Sequence, residues 1–246
     1  MSRGNGGLPE LPLTLSHYER TLGVFSPILW RSIQLAFITM AITLVVGYPL
    51  AVFISTRKNN FSKQFALFLV ILPFWSNLLI RIYAWRFLLA KEGLINNLLV
   101  SLGIAQTPQQ LLNNEFAVLL GLVYAYLPFM VLPIYAVVER FNFKHMEAAY
   151  DLGANPIVAF FRVMLPMTLS GVLAGCALVF IPTIGTYIAP DMLGGTQGLM
   201  IGNLLARQLN SNTPNMPMGA AISVVMLSLV VIPLLLYTRF GNTEKA

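Results

Sequence analysis

The chain has 246 residues, of which 57% are hydrophobic and 10% charged, and its net charge is +6. A soluble domain of this size carries about 25% charged residues, so the composition excludes a water-soluble globular fold for most of the chain. The excess Lys and Arg lie mainly between apolar runs, where membrane topology accounts for them, and no nucleic-acid surface is read from them.

Residues 1–27 are read as an external N-terminal segment. "MSRGNGGLPELPLTLSHYERTLG" lacks the apolar core of a signal peptide, and its Gly, Pro and polar residues predict loop. Residues 28–240 read as one transmembrane domain, built from apolar stretches of the roughly 20 residues that cross a hydrocarbon core. The first stretch, Ser32–Ser55, contains Pro49. A basic connection, 56–63, leads to the second, Gln64–Ile80, which contains Pro73 and is the least clearly bounded because Arg81 and Arg86 follow it. "RFLLAKEGLINNLLVSLGI", 86–104, has apolar residues at helical spacing and predicts a surface-lying or partly buried helix. The third stretch is Phe116–Val138, with Pro128 and Pro133. A polar insert, 139–166, leads into the fourth, Val163–Ile188, with Pro166 and Pro182. "GLMIGNLLARQLNSNTPNMPMG", 198–219, predicts a short helix and an Asn/Pro-rich turn. The fifth stretch, Met218–Thr238, contains Pro233, and 241–246 is a cytoplasmic tail.

The expected fold is therefore an all-α polytopic membrane protein of about five transmembrane helices. Two readings of the prolines stand: kinks that help helices pack, and broken helices that line a path. Gly171 and Gly175, four apart, form a small face for close helix approach, read first as intrachain packing. Placing 56–63, 139–162 and the tail in the cytoplasm gives that side about eight Lys and Arg in some forty residues, against about seven in some ninety outside.

Several chemistries are excluded by what the stretches lack. Cys176 is the sole cysteine, and His17 and His145 stand far apart, so neither a disulfide framework nor a metal site is expected. No Asp or Glu lies at the centre of a stretch, which disfavours a gradient-driven secondary transporter or channel. No phosphate-binding G-x-x-x-x-G-K-[ST] loop and no nucleophile elbow or H-E-x-x-H pair is present, so the chain is read as neither an ATPase nor another enzyme. It is expected to bind no cofactor. A scaffold without transport activity is the remaining reading of a different class. If the chain transports, its energy comes from a partner.

The insert "HMEAAYDLGANPIVAFFRVMLP", 145–166, reads as a device for meeting that partner. Glu147 stands near the start of a short helix, where the positive helix end favours it. Ala148 and Ala149 leave one face small. Gly153 suits the left-handed residue that ends a helix, and Asn155 with Pro156 suits the cap and first position of the next. Helix, sharp turn, helix is the expected shape, an elbow projecting on the cytoplasmic side.

Glu147-Ala148-Ala149, then Gly153, then Val163-x-Leu165-Pro166 resembles the signature of the membrane subunits of ATP-binding-cassette importers, E-A-A-x-x-x-G-x(9)-I-x-L-P, with Val163 in place of isoleucine. The resemblance implies that this elbow docks on a cytoplasmic ATPase dimer, which holds ATP and Mg, and passes its closing motion to the membrane helices. Over roughly residues 14–238, "LTLSHYERTL", "LVVGYPLAVFIS", "LPFWSNLLIRIYAWRFLLAKEGLINNLL", "GLVYAYLPFMVLPIYAVVE" and "PDMLGGTQGLMIGN" are similar to the spermidine/putrescine-type permeases, in particular the first of their two membrane subunits. That likeness implies a second permease subunit, an external solute-binding protein, residence in the bacterial inner membrane, and polyamine import. Related members carry other small organic cations or amino-acid-like solutes. Family members usually have six spans, with one before "LTLSHYERTL", so a first span is expected to be missing here.

For a cationic substrate, Trp75, Tyr83, Trp85, Tyr124, Tyr126 and Tyr187 offer ring faces near the ends of the stretches. The interfacial aromatic belt of membrane proteins accounts for the same residues. Asp191, just past the fourth stretch, is read either as a turn residue or as a contact for an ammonium group. Arg81 and Arg86 are assigned to packing or headgroup contacts.

Overall fold

A computed structural model describes residues 2–3, 9–10, 15–195, 199–210 and 214–241, with side chains from 15 to 231 where described. The described chain is almost wholly helical. Its one pairing of strands is minimal, β1 (Ser2–Arg3) against β2 (Pro9–Glu10). The helices are α1 (Ser16–Gly23), α2 (Ser26–Ser55), α3 (Asn60–Ile71), α4 (Leu78–Leu89), α5 (Leu94–Ser101), α6 (Glu115–Val138) and α7 (Lys144–Asp151). They continue as α8 (Pro156–Ala159), α9 (Leu165–Met167), α10 (Leu169–Gly185), α11 (Ile188–Leu193), α12 (Ile201–Asn210) and α13 (Met216–Gly241). Helices α2 and α6 are each long and apolar enough to cross a membrane, and two bent pairs qualify if each counts as one span. Helix α13 adds an apolar run over Met216–Val231.

Three expectations are corrected. The N-terminal segment is not loop throughout: Ser16–Gly23 is helical. Its buried residue is Thr21, whose hydroxyl lies 3.9 Å from Met218 Sδ, and the helix packs on α13, which supplies the tertiary support a short helix needs. The second stretch, Gln64–Ile80, is not one helix. It ends in a 3₁₀ turn, Leu72–Trp75, and the chain turns by 94° between Asn60–Trp75 and Leu78–Ser101. Pro73 supplies no N–H, Ser76 is extended, and the side-chain oxygen of Asn77 accepts from Leu79 N at 2.9 Å to start α4 afresh. The fourth stretch, Val163–Ile188, is likewise broken, by 73° at Thr168 between Pro156–Met167 and α10. The 86–104 region forms the end of α4 and a separate α5, parted by a turn in which Gly93 N bonds Ala90 O.

The chain forms two compact units. One comprises 37–88 and 119–180. Its core is Tyr48, Ala51 and Ile54 of α2, Met130, Val131, Ile134 and Val138 of α6, and Met164, Val172 and Val179. Between helices in lipid the hydrophobic effect gives little, and close packing must hold them together. Glycine supplies the closeness: a Cβ on Gly171 would lie 2.8 Å from the Pro133 carbonyl oxygen, and one on Gly175 2.8 Å from Met130 Sδ. The paired small residues thus seat α10 on α6 within the chain. At the start of α3, Lys63 Nζ meets Glu139 Oε1 at 2.5 Å and lies 5.7 Å from the Tyr135 ring centre. Hydrogen bonds from Lys63 and then Tyr135 hold the Glu139 carboxyl below the usual carboxylate range.

The second unit comprises 1–36, 89–118 and 181–246. Ser32 Oγ accepts from Ile201 N at 2.8 Å, and Arg31 pairs with Glu115. Buried Asn96 ties Ala90 O and the Gln109 backbone together, and buried Asn203 accepts from Met200 N and donates to Tyr187 O. These side chains satisfy loop backbone groups that would otherwise be costly to bury.

Candidate functional site

The elbow is built by short-range chemistry. Asn142 Oδ1 accepts from Lys144 N at 3.1 Å at the entry to α7, and Glu147 stands in its first turn. At its end Ala154 N bonds Ala149 O at 3.0 Å while Gly153 N bonds Tyr150 O at 2.9 Å. This double closure requires a left-handed residue between them, and Gly153 has φ +85°. Asn155 Oδ1 then accepts from Val158 N at 2.8 Å, and Pro156 occupies the first position of α8. A π turn over Phe160–Met164 joins α8 to α9.

The signature residues divide by environment. Glu147, Ala148, Gly153 and Pro166 are exposed, and Ala149 is half-buried. Beside them Leu152 and Ile157 are 89% and 68% exposed, so the turn presents apolar side chains outward. Val163 and Leu165 instead pack against the core of their unit, on either side of buried Met164. One half of the signature is a surface and the other an anchor.

The path candidates fall into separate places. In the unit of residues 37–88 and 119–180, Trp85 meets Tyr124 edge-on at 5.6 Å, Trp75 meets Phe68 at 6.2 Å, and Tyr126 leans on Phe129 at 6.0 Å. Tyr83 is exposed on α4. In the other unit Tyr187 and Asp191 share an open cavity of about 510 Å³ with Asn203, Ala206, Arg207 and Asn210. Arg81 lies over the Phe74 ring at 5.7 Å. Among the described residues no three His, Cys, Asp or Glu side chains gather as metal ligands.

Sequence reasoning missed two residues at the root of the elbow. Tyr48, on α2, places its hydroxyl 2.7 Å from Thr168 Oγ1 and its ring 5.2 Å from that of Phe160, edge-on. Thr168 sits at the 73° bend, and its hydroxyl also lies 2.8 Å from Met164 O. An adjoining apolar groove of about 600 Å³ is lined by Val45, Tyr48, Phe53, Phe160, Phe161 and Leu165, among others. The one sequence signal was Pro49, which marks the neighbourhood but names no partner.

The fold is that of chains in solved ATP-binding-cassette transporters. A chain of a bacterial transporter that imports the acidic polysaccharide alginate matches with TM-score 0.69 at 15% identity, covering 95% of this chain and 86% of that one. A chain of the inward-facing MetNI methionine transporter matches with TM-score 0.65 at 15% identity, covering 92% and 98%. Residues 43–243 match the model of the family described as binding-protein-dependent transport system inner membrane component, and the chain belongs to that family. It is thus a multi-pass inner-membrane component of a binding-protein-dependent transport system. Among curated relatives, the spermidine/putrescine transport system permease protein PotB of Haemophilus influenzae is 38% identical over 97% of this chain and 83% of its own length. PotB of Escherichia coli is 37% identical over 97% and 86%. The inner membrane ABC transporter permease protein YdcU of Escherichia coli is 31% identical over 95% and 77%.

Proposed function

We propose that this chain is one of two membrane subunits of an ATP-driven polyamine importer, and that its elbow, 139–166, seats on a cytoplasmic ATPase dimer. The observation that carries the reading is the elbow itself: a turn locked by Gly153 that holds Leu152 and Ile157 in solvent at the point where the importer signature lies. A rigid turn loses little freedom on docking, and outward apolar side chains lose water when a partner covers them. ATP and Mg reside on that partner. An external binding protein delivers spermidine or putrescine, the solutes for which the PotB relatives are named. Tyr187 and Asp191 in one unit, and the Trp85–Tyr124 pair in the other, are the ring faces and carboxylate that suit ammonium groups.

A second reading of the cargo, an amino-acid-like solute, is favoured by Arg207 standing on the same cavity as Asp191, since opposite charges suit a zwitterion. Competition of labelled putrescine uptake by spermidine and by amino acids separates the two.

The test of the elbow is co-purification of the tagged chain from its native membranes. An ATPase and a second permease should accompany the wild type. Gly153→Asp should reduce the ATPase recovered by more than about tenfold while the chain stays inserted, because an interface anchor carries that much binding. The new side chain strains the left-handed position, and its carboxylate stands in the open space beside the turn, so both effects oppose docking. Undiminished ATPase in the variant, or gradient-driven uptake without ATP, would refute the proposal.

A further inference from the structure

We infer that Tyr48 is the positioning residue that makes α2 move with the elbow, and so relays the work of ATP hydrolysis into the transmembrane bundle. The inference rests on the elbow reading above. Its basis is that one side chain grips both ends of the segment through which the elbow enters the membrane. The ring of Tyr48 meets Phe160 at the start of the π turn, and its hydroxyl meets Thr168 at the bend that follows Pro166. Tyr48 and Thr168 are 120 residues apart in sequence, and both are buried, at 5% and 0% exposure.

The proton arrangement makes the link directional. Thr168 has one hydroxyl proton, and donating it to Met164 O at 2.8 Å leaves Oγ1 to accept from Tyr48. The phenol then has no other use for its proton, and a buried hydroxyl without a partner is expensive in an apolar surround. The segment between the two contacts is poorly suited to being rigid by itself. It contains a π turn, Pro166 without an N–H, and a residue at φ −104°, ψ 7°. Displacement of the elbow would dissipate there unless something spans it. Tyr48 spans it, and it is carried on the 30-residue helix α2, beside Pro49. An apolar groove lies beside Tyr48, Phe160 and Leu165, so the ring is not enclosed on that side.

The experiment uses the whole transporter in proteoliposomes and reads labelled putrescine moved per ATP hydrolysed. Tyr48→Phe, which keeps the ring and removes the link, should leave ATP hydrolysis within about twofold of wild type and lower transport per ATP by up to about tenfold, the scale of one buried hydrogen bond. Thr168→Val should lower the ratio by a similar factor, the double variant no further than either single, and Thr168→Ser should keep it. A residue of merely structural importance would lower hydrolysis and transport together and leave their ratio alone. An unchanged ratio in Tyr48→Phe, or independent losses that multiply in the double variant, overturns the proposal. Failure of the elbow reading is seen separately, in a wild-type transporter whose putrescine uptake needs no ATP, and that result removes both.

Discussion

Two bends interrupt the apolar stretches, and they are held in opposite ways. The 94° break between α3 and α4 is made from its own neighbourhood: Pro73 in the 3₁₀ turn, Ser76 Oγ donating to Pro73 O at 2.8 Å, and Asn77 capping α4. Next to it, Arg81 has Nε and Nη1 buried without an acceptor among the described residues. The 73° break before α10 also contains a proline, but a hydrogen bond from α2 and a core of buried side chains hold it. The hydrogen bonds of the first break are local, although Phe74 in its turn also meets Phe129 of α6 at 4.7 Å. A break made by tertiary contact transmits what its partner does, and the second is the one that leads from the elbow.

The largest effect expected from this difference is in Thr168→Val. The substitution keeps the shape but leaves the Tyr48 hydroxyl buried with no acceptor, so it should destabilise the detergent-solubilised chain by about 1–3 kcal/mol in thermal unfolding. A loss below that of Asn77→Ala would show that the second bend is as local as the first. Asn77→Ala removes only the cap of α4 and should cost about 1 kcal/mol, with amide exchange quickened at Leu79 and unaltered around Thr168. Exchange spreading to Thr168 would break the distinction from the other side.

The smallest effect is acidic. The Lys63–Glu139 pair fixes the start of α3, ahead of the first bend only. Because the Glu139 carboxyl titrates below its ordinary 4.5 in the folded chain, its contribution is complete above that value and is lost as the pH falls through the lowered one. Both groups reach solvent, so the loss should be about 0.2–1 kcal/mol. Glu139→Gln should show less of this acid-sensitive loss, while Thr168→Val should retain it.

Legibility in the sequence follows the range of the chemistry. Gly153, Asn155 and Pro156 act on backbone groups a few residues away, so their types announce a closed helix end and a capped start, and both are present. The apolar stretches follow from composition, and the close seat of Gly171 and Gly175 from their spacing. The breaks were harder. Pro73 and Pro166 signalled kinks, yet a proline in an apolar helix is compatible with a modest bend, and its size is settled by what packs around it. Helix α1 was hidden for the same reason, since its support comes from α13, far along the chain. Nothing local joins Tyr48 to Thr168, or Arg31 to Glu115, because those pairings exist only once distant helices meet.

Gly153 has a consequence of another kind. A Cβ built there meets nothing within 4 Å, although φ is +85°. The position therefore tests chirality and not bulk. A D-alanine placed at 153 by chemical ligation would suit the left-handed backbone, whereas L-alanine, although its Cβ meets open space, would have the wrong hand. Swapping one mirror image for the other would change the elbow's shape with composition, charge and size all held constant.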